Sequence, residues 1–66
     1  MIVYNKLWET MKEKGITKYY LTAKCGISPS KITRLKRNQT VRTDIINTLC
    51  NILDCKVEDI LEYISE

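Results

Sequence analysis

The sequence has no histidine, one proline, two glycines and no apolar run near the roughly 20 residues of a membrane span. Without histidine it lacks the commonest general base and the commonest metal ligand. It also has no phosphate-binding glycine loop and no paired carboxylates placed for catalysis. We therefore expect no catalytic residues, no metal and no cofactor, and neither a signal peptide nor a membrane anchor.

The cysteines form an odd set of three, Cys25, Cys50 and Cys55. Their spacing matches neither a C-x-x-C pair nor a four-ligand zinc site. They are predicted to be small apolar side chains, buried or half-buried, in a reducing cytoplasm. A redox-sensing role is the alternative.

Length and composition limit the organisation of the chain. Sixty-six residues are enough for one domain, residues 1–66, with a small core. The fractions of 44% hydrophobic and 29% charged residues are typical of a soluble globular protein rather than a disordered one. We expect a single folded, cytoplasmic domain.

Charge is unevenly distributed along the chain. Residues 1–40 carry nine Lys and Arg and two Glu, whereas residues 41–66 carry two basic and six acidic residues. No acid occurs between Glu13 and Asp44, although eight Lys or Arg lie there. A solvated surface normally mixes both signs, so this run predicts a polyanionic partner for the first part of the chain.

Apolar residues recur at helical spacing throughout the chain, which predicts an all-α compact bundle of about five short helices. Capping signals give their limits. Gly15 ends the first helix, and Pro29 is the first residue of the third. The predicted N-caps of the second, third and fourth helices are Thr17, Ser28 and Thr43. The five predicted helices cover about 3–14, 18–24, 29–37, 44–53 and 57–64.

The second and third predicted helices are separated by a very short turn. Gly26 can supply a positive φ there, and Ile27 is predicted to insert into the core. Such a turn holds two helices at roughly 90–120°, the helix-turn-helix geometry. Leu21, Ile32 and Leu35 would fill the angle, which leaves the outer face of the third helix free to enter a DNA major groove.

Four stretches of the chain carry a family resemblance: K-L-W-E-T-M-K-E-K-G-I-T, L-T-A-K-C-G-I-S, K-I-T-R-L-K-R, and I-I-N-T-L-C-N-I-L-D-C-K-V-E-D-I-L. Together they resemble the lambda-repressor-like helix-turn-helix domains of the Xre/Cro type, in particular small stand-alone regulators of bacteria, phages and mobile elements. The resemblance implies a transcriptional regulator, usually dimeric, that binds a pseudo-palindromic operator in double-stranded DNA and most often represses.

The resemblance also implies roles for individual residues. The base contacts it implies are Pro29, Ser30, Lys31, Thr33 and Arg34. The phosphate contacts it implies are Thr17, Lys18, Lys36, Arg37, Asn38 and Arg42. Many family members carry an amide side chain where this chain has Lys18 and Pro29. Proline has no side-chain hydrogen-bond donor, so Pro29 is not expected to read a base by hydrogen bonding.

A single small module buries little surface on DNA, so we expect a homodimer. The C-terminal apolar residues Ile60, Tyr63 and Ile64 are the predicted dimer interface, with Ile2 and Val3 as further candidates. The alternative function is an antitoxin or a phage or mobile-element regulator that acts mainly through a protein partner, bound by the acidic C-terminal part.

Overall fold

The computed structural model describes all residues 1–66 as a bundle of four α-helices with a short 3₁₀ helix and a two-stranded sheet. The helices are α1 Asn5–Lys14, α2 Lys18–Ala23, α3 Pro29–Lys36 and α4 Thr43–Leu53. The 3₁₀ helix is Val57–Asp59, and the strands are β1 Ile2–Val3 and β2 Glu62–Tyr63. The predicted helical bundle is confirmed, although its fifth helix is not.

The core lies where the apolar faces of all the helices meet. Its fully buried side chains come from every α-helix and from the segment after the 3₁₀ helix: Leu7, Leu21, Leu35, Leu49, Leu53 and Ile60. Trp8 is only partly buried and packs against the rim of this core. None of the helices has the length and apolar character needed to cross a membrane.

Two of the predicted helix ends have the expected geometry. Gly15 ends α1 with φ +71°, in the left-handed region that favours glycine. Thr17 is the N-cap of α2, and its Oγ1 accepts a hydrogen bond of 3.1 Å from the Tyr20 amide. The connection between α1 and α2 is therefore short and fixed at both ends.

The prediction of a fifth helix over residues 57–64 is wrong. Only one 3₁₀ turn forms, after which Glu62 and Tyr63 pair antiparallel with Val3 and Ile2. The same pairing explains why α1 begins at Asn5 rather than near Val3. Periodicity could not reveal this, because the pairing joins opposite ends of the chain and eight residues are marginal for a helix.

Two predicted caps also differ from the structure. Ser28 precedes α3 with extended backbone, but its Oγ lies 3.1 Å from Ser30 Oγ and caps no amide. Thr43 is the first residue of α4, and the N-cap position belongs to Arg42. Arg42 Nε instead lies 3.6 Å from Asp44 Oδ1 in the first turn. In neither case does a side chain cap an amide of the first turn.

Candidate nucleic-acid interface

The turn between α2 and α3 has the predicted helix-turn-helix features. Gly26 has φ +74°, and Ile27 is only 4% exposed. The Ile27 amide donates to the Leu21 carbonyl oxygen over 3.1 Å, which ties the turn back onto α2. Ile32 and Leu35 of α3 are buried, as expected. These contacts fix which face of α3 remains outside.

The outer face of α3 carries all five predicted base-contacting residues, and all five are exposed: Pro29, Ser30, Lys31, Thr33 and Arg34. The Thr33 hydroxyl donates to the Pro29 carbonyl oxygen over 3.1 Å. That bond commits the hydroxyl hydrogen of Thr33 to its own helix, so this side chain presents an acceptor oxygen and a methyl group outward.

Arg34 lies beside a surface cavity of about 370 Å³ between α3 and the loop that precedes α4. Lys31 and Arg42 line the same cavity. Arg34 Nη1 donates to the Thr40 carbonyl oxygen over 3.3 Å, a long and solvent-exposed bond. The structure therefore brings predicted base-contacting residues together with one predicted phosphate-contacting residue.

Besides the cations at the cavity, Lys18 at the start of α2 and Lys36 at the end of α3 form a cationic pair. The neighbouring Lys36 side chain, as a competing hydrogen-bonding group and as a like charge, lowers the pKa of Lys18. Lys18 Nζ also lies 5.4 Å from the centroid of the Trp8 ring, within cation–π range. Because Thr17 Oγ1 acts only as an acceptor in its cap, its hydroxyl hydrogen stays available beside Lys18.

Trp8 belongs with Lys18 and Lys36, although no sequence pattern indicated it. Its ring is half-buried against the core, and the Lys18 ammonium lies over that ring. No local signal could have shown this, because the two residues belong to different helices. Trp8 thus supports a cation of the candidate interface.

Asn38 has a structural task in addition to its predicted phosphate contact. Its φ is +55°, and its Oδ1 accepts a 2.9 Å hydrogen bond from the amide of the buried Tyr4. The Asn38 oxygen is therefore committed to the fold, and only its amide nitrogen remains for a ligand. The neighbouring Arg37 is exposed and unrestrained by an ion pair.

The positive charges of α2 and α3 form no ion pairs with carboxylates. The two ion pairs of the structure are Arg42 with Asp44 and the N-terminus with Glu66. No carboxylate lies within ion-pair distance of Lys18, Lys31 or Arg34. Cations without partners keep their full attraction for an anionic ligand such as a phosphate backbone.

The predicted dimer interface needs correction at two positions. Ile60 is fully buried and Val3 is only 4% exposed, so both belong to the core and neither presents a surface to a partner. Tyr63, Ile64 and Ile2 are 66%, 43% and 42% exposed, respectively. An apolar surface thus remains on and beside the β1–β2 pair.

Comparison with known proteins agrees with this geometry. A crystal structure of the transcriptional regulator VanUg superposes with a TM-score of 0.88 and 31% sequence identity, over 98% of this chain and 87% of that chain. No curated protein matches the chain in sequence. The model of the Cro/C1-type HTH DNA-binding domain matches residues 6–66. The chain therefore belongs to the Cro/C1-type helix-turn-helix DNA-binding domain family.

Proposed function

We propose that this protein is a sequence-specific regulator of transcription, most simply a repressor, that occupies promoter DNA with residues 29–37 in the major groove. The observation that carries the proposal is the outer face of α3, where exposed side chains include the unpaired cations Lys31 and Arg34. Membership of a DNA-binding family and the likeness to a transcriptional regulator support it.

Arg34 is the principal base-reading residue of this proposal. Its guanidinium can donate two hydrogen bonds to O6 and N7 of guanine, worth about 1–3 kcal/mol of discrimination. Its bond to the Thr40 carbonyl is long and exposed, so exchange for a base edge loses little. Ser30 and Lys31 would read neighbouring edges, and Pro29 and the Thr33 methyl would contact thymine methyl groups.

The phosphate contacts belong to residues on both sides of α3. Lys18 and Lys36 form one cationic pair, with the Thr17 hydroxyl beside it. Arg37, the Asn38 amide and Arg42 follow Lys36 in sequence, after the C-terminal end of α3. A phosphate between two ammonium groups relieves their repulsion, so this pair favours an anion more than two separate lysines do.

We further propose that the protein binds as a homodimer through Ile2, Tyr63 and Ile64. One module of this kind buries only about 600–1,000 Å² on DNA, which is small for tight binding. These three side chains are exposed and apolar, and they lie on or next to the β1–β2 pair. A two-fold contact at this pair would set the spacing of two α3 helices on one face of DNA.

The test is selection of bound duplexes from a randomised DNA pool at near-physiological salt. Wild type is expected to enrich a pseudo-palindrome whose half-sites lie about 10 base pairs apart. The matched variant Arg34→Lys keeps the charge but loses the two-pronged donor. It should retain binding and relax the consensus at one position in each half-site.

Two outcomes would overturn the proposal. Retention of DNA without any enriched sequence would leave only a basic surface, and the acidic C-terminal part would then be examined for a protein partner. An unchanged consensus with Arg34→Lys would remove Arg34 from the base-reading role.

A further inference from the structure

The end of α4 brings two cysteines together by backbone geometry. Asp54 takes a left-handed conformation with φ +49°. The Cys55 amide then donates to the Cys50 carbonyl oxygen over 3.2 Å. This is the Schellman arrangement, in which the side chains at these two positions commonly pack against each other. Here both positions hold a thiol where an ordinary apolar pair would suffice.

The two thiols share one environment as well as one turn. Both are free and half-buried, and both line a groove of about 480 Å³ with Ile46, Val57 and Leu61. Burial raises the pKa of Cys55, and proximity to Cys50 raises this pKa further. The backbone hydrogen bond and the shared groove place the two cysteines on one turn and in one surface depression. Cys25 has no such partner, because it lies after α2 and outside this groove.

We propose that Cys50 and Cys55 form a redox-active dithiol that closes to an intramolecular disulfide when it meets a small disulfide oxidant such as oxidised glutathione. One cysteine thiolate attacks a sulfur of the oxidant and releases one glutathione thiolate. The second cysteine thiolate then attacks the mixed disulfide and releases the other. The protein loses two protons and two electrons, and the oxidant becomes two molecules of glutathione.

The closed bond would act locally. The ring from Cys50 to Cys55 is short, so closing it removes little entropy from the unfolded chain. Its effect is on the groove, where a disulfide replaces two thiols beside the 3₁₀ helix and Leu61. The exposed face of α3 carries neither cysteine, so the proposal does not depend on DNA binding.

The experiment equilibrates the full-length protein in glutathione buffers of increasing oxidising strength, followed by acid quenching and alkylation with N-ethylmaleimide. Intact mass and peptide mapping then count and locate the remaining thiols. Wild type is expected to lose alkylation at Cys50 and Cys55 together in a single step without gaining glutathione at either, whereas Cys25 stays alkylatable or takes up glutathione independently. Closure should accelerate as pH rises, because Cys55 reacts as its thiolate.

Matched variants separate this bond from other thiol chemistry. Cys25→Ser should keep the same transition and pass from two alkylated cysteines to none. Cys50→Ser should form no intramolecular bond and should carry glutathione at Cys55 in the oxidising buffers. Alkylation of Cys50 and Cys55 throughout, an intramolecular disulfide that involves Cys25, or glutathione on both Cys50 and Cys55 of wild type would overturn the proposal. If the Cys50 variant does not fold, the wild-type peptide map decides.

Discussion

At the scale of single residues, the cationic pair of Lys18 and Lys36 is the feature that most distinguishes this surface from an ordinary basic one. Two ammonium groups are held close together without a counterion, and Trp8 supports one of them. Repulsion is tolerated because both groups remain in water. A phosphate bound between the two ammonium groups would attract both of them and offset their mutual repulsion.

The lowered pKa of Lys18 gives DNA binding a pH dependence. Only the ammonium form binds phosphate, and a lowered pKa means that this form is lost at a lower pH than for an ordinary lysine. Affinity should therefore fall as pH rises through the alkaline range. Lys36→Ala removes the neighbouring charge, so the pKa of Lys18 rises and the decline should move to higher pH. Fluorescence anisotropy titrations across this range measure both profiles.

Lys36→Ala should also weaken binding to all sequences equally and reduce the salt-dependence slope by about 1. The control is Lys6→Ala, which removes one charge from an exposed position of α1. It should leave the shape of the pH profile unchanged. Equal pH profiles for wild type and Lys36→Ala would mean that the pair does not act together on phosphate.

Periodicity located the outer face of α3 correctly, because burial of Ile32 and Leu35 leaves the residues between them outside. It could not locate the contacts of Lys18 with Lys36 and Trp8, since these depend on how three helices pack. The same limit applies to Asn38, whose bond to the Tyr4 amide spans 34 positions of sequence. Local patterns predict exposure, whereas tertiary packing decides which exposed groups meet.

At the scale of secondary structure, short helices depend on their ends more than on their interiors. Thr17 and both glycines were predicted correctly, because each supplies a local backbone or side-chain property. The prediction of a fifth helix was wrong because the apolar residues Ile60 and Leu61 are equally compatible with a helix and with a segment that joins a 3₁₀ turn to a strand. The apolar pattern there reflects burial of Ile60, not helical periodicity.

Substitutions at the two glycines can measure the energetic cost of left-handed backbone strain without a contribution from side-chain clashes. Gly15 and Gly26 have φ of +71° and +74°, and a Cβ at either position would have open space around it. Gly26→Ala and Gly15→Ala should therefore destabilise the fold by the same amount, about 1 kcal/mol, through left-handed strain alone. For a domain of this size that corresponds to a fall in Tm of about 4–8 °C, measured by circular dichroism.

Asparagine tolerates the left-handed region better than alanine, so Gly26→Asn should lose less stability than Gly26→Ala. A much larger loss for Gly26→Ala than for Gly15→Ala would contradict this account. It would mean that the turn between α2 and α3 is held by contacts that a methyl group disturbs, rather than by backbone conformation.

At the scale of the whole molecule, the two ends of the chain meet in the β1–β2 pair. The Ile64 amide donates to the Met1 carbonyl oxygen over 2.8 Å, and the N-terminal ammonium lies 3.8 Å from Glu66 Oε1. The sheet has only two strands of two residues each, so Tyr63 and Ile2 stay exposed beside each other. A second copy of the chain would cover this apolar surface and bring two recognition helices into one complex.

The proposed homodimer would bind cooperatively to an operator with two half-sites. Tyr63→Ala removes the most exposed apolar side chain of the proposed interface, and because this side chain is 66% exposed, folding should be spared. The coupling ratio is the association constant for filling both half-sites of the palindrome divided by the square of the constant for an isolated half-site, both measured by anisotropy. It should fall at least tenfold, which corresponds to about 1.4 kcal/mol of lost coupling. The matched control is Tyr19→Ala, a similarly exposed tyrosine on α2. It should leave this ratio unchanged even if it alters both affinities, because each protomer loses the same contact. A ratio that Tyr63→Ala leaves intact, or a single protomer on the palindrome by native mass spectrometry, would place the dimer contact elsewhere or exclude it.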